Sequence, residues 1–373
     1  MTVLVSDVTL GIEEEYQIVH PLTRALRPRA ERVLPLARQT LGDQAQPELY
    51  RAQIEMVTPV CHTLAEARAA LVRGRRAILE AAAQDGHRIA AAGTHPFSRP
   101  EEQQITPKER YEDIATTYQA LARDHVICGC HVHVGVADPT VALAVLNRVR
   151  PWLAPLLALS ASSPFWQGAD TGYASYRSEL WGRWPLAGPP GFFASPAEYA
   201  ALVHALVATG SIDDESKLYW DVRLPVKTPT VEVRVADVCT TVDEAVLIAG
   251  LTRALARTCA AEAQRDTPFP PARPELLRMA HWRAARYGLE GELIDVAAER
   301  AAPAHDLVRT LLAFVRPALE EQGDWEEIAA LTHQTLRGGT SAARQRAAYR
   351  RAGRWDDVVD LVVADTARGV VTV

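Results

Sequence analysis

"GIEEEYQIV", residues 11–19, sets three carboxylates in a row inside an otherwise apolar stretch. Side chains alternate between the two faces of a strand. Read as a strand, the stretch puts Glu13, Glu15 and Gln17 on one face; Ile12, Tyr16 and Ile18 take the other, with Glu14 among them. Like charges on one face repel, so a strand keeps such a face only where water or a cation compensates. Three further stretches repeat the anomaly. "CGCHVHVGV" (128–136) sets His131, His133 and Gly135 against Val132, Val134 and Val136. "TVEVRVAD" (230–237) sets Glu232 and Arg234 against Val231, Val233 and Val235. "RAQIEMVTPV" (51–60) sets Gln53 and Glu55 against Ile54 and Met56, with Glu48 just upstream. If these strands are neighbours, their polar faces merge into one floor and their apolar faces pack on helices.

The rest of the chain frames that floor. Strand-like runs fall at about 8–19, 51–60, 88–92, 127–136, 218–224 and 230–238. Helix starts are marked by a hydroxyl residue three positions before Glu: Thr63–Glu66, Thr106–Glu109 with Pro107 at the first helical position, Ser195–Glu198 and Thr241–Glu244. Asp138-Pro139 starts another. Beyond about 242 the chain reads as almost entirely helical. Strands and helices do not alternate regularly, so the fold class is α+β: a mostly antiparallel sheet with helices packed on one side. Residues 1–373 are read as one catalytic domain. The rigid connector "FPPARP" (269–274) is its one seam, opening a helical C-terminal subdomain from about 270.

Composition excludes several classes. The chain of 373 residues is 48% hydrophobic with a net charge of −6, so no basic field advertises nucleic acid as a partner. "MTVLVSDVTL" lacks a basic n-region and carries Asp7, so it does not read as a signal peptide. No run of about 18 apolar residues suggests a membrane span. The five cysteines have no framework spacing and read as reduced thiols, which points to the cytoplasm. No P-loop, G-x-G-x-x-G or G-x-S-x-G motif occurs; Lys227-Thr228 lacks the P-loop glycines.

Glutamates and histidines on one floor suit divalent cations. Carboxylates favour Mg²⁺, and an imidazole is tolerated more easily by Mn²⁺. Cys128 and Cys130 are placed on the histidine face, but no second cysteine pair follows to close a structural zinc site. Four carboxylates exceed the needs of one ion, so two or more ions bridging a polyphosphate is the economical reading. Arg234 could then neutralise charge on a transferred phosphoryl group. Each motif alone has a plainer reading: a solvated strand face, a satisfied histidine pair, or a cross-strand ion pair.

The blocks "GIEEEY", "AAGTHPF" (91–97), "CGCHVHVGV", "LSASSPFWQGADTGYASYRS" (159–178), "WDVRLP" (220–225), "VEVRVADV" (231–238) and "RYGLEG" (286–291) resemble, in order, the glutamate–cysteine ligase type 2 family of bacterial ATP-dependent carboxylate–amine ligases. The resemblance implies a catalytic core like that of glutamine synthetase. It also implies ATP and Mg²⁺ as cofactors, glutamate and cysteine or another amine as substrates, and a homodimer. By the same resemblance Glu13, Glu15, Glu48, Glu55, His131 and Glu232 are metal ligands. Arg234 reaches the γ-phosphate, His133 contacts substrate or nucleotide, and Arg177 clamps a substrate carboxylate. "RGGTSAARQR" (337–346) would form a closing lid or simply start a helix; Glu14 has no assigned role and sits at a strand end or pairs with an arginine. Two alternatives stay open. One is the same ligation with a different acid or amine. The other is a metal-dependent hydrolase of the amidohydrolase kind, which also uses H-x-H and would need later histidines such as His281, His305 or His333.

Overall fold

The structure, a computed structural model, describes residues 8–269 and 272–370. The strands are β1 (Leu10–Val19), β2 (Ala45–Pro47), β3 (Gln53–Val57), β4 (Arg88–Ala90), β5 (Gly129–Gly135), β6 (Phe165–Trp166), β7 (Ala169–Asp170), β8 (Val222–Arg223), β9 (Thr230–Asp237), β10 (Glu292–Asp295) and β11 (Arg300–Pro303). The first nine helices are α1 (Ala30–Leu41), α2 (Leu64–Gln84), α3 (Glu109–Tyr118), α4 (Ala120–Arg123), α5 (Pro139–Val149), α6 (Leu153–Ser160), α7 (Tyr176–Trp181), α8 (Pro196–Ala208) and α9 (Val242–Gln264). Five more follow: α10 (Pro274–Tyr287), α11 (Ala304–Gln322), α12 (Trp325–Gly338), α13 (Ser341–Ala352) and α14 (Trp355–Ala367).

The four charged strands are neighbours. One antiparallel sheet runs in the order β2-β3-β1-β5-β9-β8, with β4 also paired to β1. Its register aligns the anomalous residues: Glu15 faces Glu55, Glu13 faces His131, and His133 faces Glu232. The apolar face, with Ile12, Ile54, Met56, Val132, Val134, Val231 and Val233, joins one large buried core. Helices α2, α5, α6 and α9 pack against it.

Local chemistry sets most helix starts as expected. Thr63 and Ser195 each accept a hydrogen bond from the backbone of the Glu three residues on. Thr241–Glu244 forms a complete capping box, and the Asp138 side chain caps α5 with Pro139 at the first helical position. Thr106 is the exception. Its hydroxyl donates to the Glu48 carbonyl at 2.6 Å, so α3 begins only at Glu109 and breaks at Gln119, whose φ is +49°. The region after 242 is not wholly helical either, because β10 and β11 form a hairpin within it.

Three other expectations change. Cys128 and Cys130 lie on the core face with Val132 and Val134, not with the histidines; all five cysteines are buried and free. For residues 337–346 the helix-start reading holds and the lid reading does not. Thr340 caps α13, Ser341 contacts Thr240, and Gln345 donates to the Ser162 carbonyl, so the segment is locked into the core. The stretch Pro139–Ser160 is long and apolar enough to cross a membrane by length and composition, but its most apolar window, of mean hydropathy 1.2, is 72% buried within the fold. The expectation for "MTVLVSDVTL" falls largely outside the described residues, as does the Pro270-Pro271 step of the connector.

Glu14 resolves as a member of a buried ion pair. The Arg75 guanidinium on α2 grips its carboxylate with both side chains 0% exposed, and Tyr16 Oη donates to it at 2.5 Å. Arg75 also donates to the carbonyls of Cys239 and Thr240 at 2.7 and 2.8 Å, tying β1, α2 and the end of β9 together.

Candidate active site

The polar face of the sheet floors a cavity of about 390 Å³. Glu13, Glu15, Glu48, Glu55, His131, Arg177 and Arg234 all line it. His133 and Glu232 sit on the same floor but outside the cavity lining. Two sets of ligand atoms converge: Glu13, Glu55 and His131, and Glu13, His133 and Glu232, the atoms in each set lying within 4.8 Å of one another. Glu13 belongs to both, accepting from His131 Nδ1 at 2.9 Å and from His133 Nε2 at 3.1 Å. Glu15 points toward β5, where its Oε2 accepts from the Gly129 N–H at 2.5 Å. Glu48 follows β2, its carboxylate 3.4 Å from Tyr111 Oη.

The electrostatics expose unmet demand for positive charge. Burial, reinforced by the neighbouring Glu15, pushes the Glu48 carboxyl up to about 8. Burial and the carboxylates of Glu13 and Glu48 raise Glu55 well above the usual range. Burial also acts on Glu13, but the hydrogen bonds from His131 and His133 outweigh it and hold that carboxyl low. Burial and the Arg234 charge lower the His131 imidazole, keeping it neutral and able to donate a lone pair. Crowded oxygen donors with raised pKa values, beside a neutral imidazole, form a donor set that fits Mg²⁺ or Mn²⁺.

Glu232 carries more than the sequence suggested. It is buried between two arginines: Arg223 Nε donates at 2.7 Å and Arg234 Nη1 grips the other oxygen. Burial would raise its carboxyl, yet Arg234 and Arg223 pull it down to about 2. Arg223 faces Glu232 across the β8–β9 pair. It escaped the sequence reading, although it lies in the block "WDVRLP".

A bulge explains a second omission. Cys130 pairs with Ala236 and Val132 with Val233, so Arg234 and Val235 together stand opposite His131. The extra residue turns Asp237, which simple alternation assigns to the apolar face, toward the site. There its carboxylate accepts from Ser162 N, Ser163 Oγ and Ser175 Oγ at 2.7–2.9 Å. It also lies 4.0 Å from the Arg177 guanidinium. Gly129 makes room for that arginine: a Cβ there would meet Arg177 Nη2 at 2.3 Å. Nε of Arg177 and of Arg234 are both buried without a partner, so each arginine keeps a donor in reserve.

The far wall is aromatic and was not legible beforehand. Trp181, Trp184, Tyr111 and Tyr219 line it, and the Arg234 guanidinium lies 5.5 Å from the Trp181 ring. His125 packs between Trp181 and Trp184; burial and the charges of Arg177 and Arg234 lower its imidazole to about 3, so it is a neutral wall residue. Lys108 and Arg110 add positive charge at the mouth. The later histidines that a hydrolase would require lie on helices instead: His281 on α10, His305 on α11 and His333 on α12.

Comparison with known proteins agrees with this arrangement. Residues 9–364 match the family described as Glutamate-cysteine ligase family 2 (GCS2). A Rhodopirellula baltica protein, provisionally named glutamate–cysteine ligase 2, is 44% identical over 96% of both chains. A Frankia alni protein, provisionally named glutamate–cysteine ligase 2-2, is 46% identical over 96% of this chain and 97% of its own. Among solved structures, a glutamate–cysteine ligase from Francisella tularensis in complex with AMP shares the fold with a TM-score of 0.73 at 13% identity, covering 98% of this chain and 90% of that one. A bifunctional glutathione synthetase from Pasteurella multocida gives 0.69 at 16% identity, covering 98% and 53%. With a match along nearly its whole length and close relatives of equal length, the chain belongs to glutamate–cysteine ligase family 2.

Proposed function

We propose that the protein is an ATP-dependent carboxylate–amine ligase that joins glutamate to cysteine. The carrying observation is the pair of ligand clusters sharing Glu13, with Arg234 beside them and an aromatic-walled cavity above. Glu13, Glu55 and His131 would hold one divalent cation and Glu13, His133 and Glu232 another, with Glu15 and Glu48 completing the shell; Mg²⁺ is the first choice and Mn²⁺ the second. When bound, these ions supply charge neutralisation for the polyphosphate.

The γ-phosphoryl group of ATP passes to the side-chain carboxylate of glutamate, giving an acyl phosphate and ADP. The amine of the second substrate attacks the acyl carbon; the C–N bond forms, the C–O bond to phosphate breaks, and the amine loses a proton. Arg234, fixed by Glu232 and still holding a free Nε–H, would stabilise charge on the phosphoryl group in flight in this reading. Arg177, beside Asp237, would clamp the α-carboxylate of the acid substrate in this reading. Trp181, Trp184 and Tyr219 exclude water, which would otherwise hydrolyse the acyl phosphate. His133 is held by Thr230 Oγ1 at 3.1 Å and by Glu13 at 3.1 Å, and in this reading it would exchange the Glu13 contact for the second cation. One catalytic domain, a cytoplasmic setting and a homodimer belong to the same reading.

The test is ADP release by the purified protein with ATP and Mg²⁺, across amino acids offered singly and in pairs. Release requiring glutamate plus cysteine supports the full reading. Release requiring a different acid or amine keeps the chemistry and corrects the substrate. No nucleotide binding overturns it.

A further inference from the structure

The mouth of the active-site cavity is positive, although the chain beside it carries both signs. "PKERYEDIATTY" (107–118) sets Lys108 and Arg110 among Glu109, Glu112 and Asp113. The fold sorts them. Lys108, Arg110, Tyr111 and Ile114 line the cavity, whereas Glu109, Glu112 and Asp113 are exposed and do not. The opposite bank repeats the sorting: Ser216 lines the mouth, and its acidic neighbours Asp213, Asp214 and Glu215 do not. Two ties hold the basic pair in place. The Thr106 hydroxyl donates to the Glu48 carbonyl at 2.6 Å, and Tyr111 Oη donates to the Pro47 carbonyl at 2.7 Å. Lys108 and Arg110 fall between these ties, so the contact that deprives α3 of its hydroxyl cap also fixes both residues at the rim.

We infer that Lys108 and Arg110 are polyphosphate-binding residues, which contact the nucleotide's phosphate oxygens from the start of α3. This rests on the ligase reading, which supplies the nucleotide. The arginines at depth already answer to carboxylates of the protein: Arg223 and Arg234 hold Glu232, and Arg177 lies 4.0 Å from Asp237. The mouth cations have lighter duties. Arg110 Nη1 donates to the neutral Ser216 Oγ at 3.1 Å, and Lys108 Nζ lies 5.2 Å from the centre of the Tyr111 ring. The Asp214 carboxylate, which feels the Arg110 charge, is turned to Ser216 N at 2.7 Å. The floor carboxylates claim much of the charge of any cations bound there, so a polyphosphate on that floor calls for more positive charge. Lys108 and Arg110 are exposed, so they meet phosphate oxygens at a small desolvation cost.

The experiment is calorimetric titration of the whole protein with Mg·ATP, with no amino acid present, so that binding is read without turnover. Lys108→Gln and Arg110→Gln should each weaken Mg·ATP about fivefold, between the worth of an exposed ion pair and that of a buried charged hydrogen bond. The double variant should lose more than either, and Arg110→Lys should keep most of the affinity. Glu112→Gln, on the outward side of the same helix, should change nothing. Circular dichroism should match throughout, because all three side chains are exposed. A second titration uses glutamate in the presence of Mg·ADP, and there the variants should match the wild type. Unchanged Mg·ATP affinity in the double variant overturns the inference and leaves the ligase reading standing. So does a loss confined to glutamate, which would give the mouth to a substrate carboxylate. Wild-type protein that binds no Mg·ATP removes the ligase reading and this inference together.

Discussion

Replacing Arg75 by Met tests the reasoning about the first strand most severely. The substitution leaves the Glu14 carboxylate fully buried with Tyr16 Oη as its remaining donor, and takes donors from the carbonyls of Cys239 and Thr240. Breaking a buried ion pair from one side costs about 3–5 kcal/mol. The two carbonyls add about 1 kcal/mol each, for a total of about 5–7 kcal/mol. That is comparable to the whole stability of an ordinary domain, about 5–15 kcal/mol. The assay is urea unfolding followed by far-ultraviolet circular dichroism, with stability read as midpoint times slope. The double variant Glu14→Gln/Arg75→Met removes both charges and should be more stable than Arg75→Met alone by about 2 kcal/mol. A loss below about 1 kcal/mol in Arg75→Met refutes the argument. So does a double variant no more stable than the single one, because the cost would then not come from an orphaned charge.

Glu232→Gln should lower ADP formation at least about 100-fold by loosening Arg234 and removing a proposed metal ligand, with circular dichroism unchanged; near-normal turnover would remove Glu232 from the site. Gly129→Ala should displace the Arg177 guanidinium and raise KM for the acid substrate about tenfold or more while the unfolding midpoint moves little; an unchanged KM would show that Arg177 is not the clamp. Glu48 and Glu55 have folded pKa values raised by burial, so protonation is what stabilises them in the metal-free protein. Metal-free stability should therefore fall as pH rises above the ordinary carboxylate range, for Glu48 through about 8, by up to about 1.4 kcal/mol per unit for each proton held. Added Mg²⁺ should reverse that slope and release protons near pH 7; a slope indifferent to Mg²⁺ would separate these carboxylates from any cation site.

The sequence by itself determined the sheet faces and the charged floor. Alternation in four short strands puts Glu13, Glu15, Glu55, His131, His133, Glu232 and Arg234 on polar faces, because a strand has only two sides and the valines and isoleucines claim one. Local capping chemistry likewise fixed where α2, α5, α8 and α9 begin. Tertiary structure decided what depends on a distant partner. Glu14 needed Arg75 from another element before a carboxylate among core residues made sense. The Thr106 hydroxyl went to the Glu48 carbonyl, so the helix started later than its capping signal. One bulged residue in β9 reversed the face of Asp237, and with it the support for Arg177; no local pattern announces a bulge. The aromatic wall of Trp181, Trp184 and Tyr219 comes from loops and a short helix that meet only in the folded chain. Alternation is a property of one strand's backbone, whereas pairing and cavity walls are properties of the assembled elements, and only the fold brings those together.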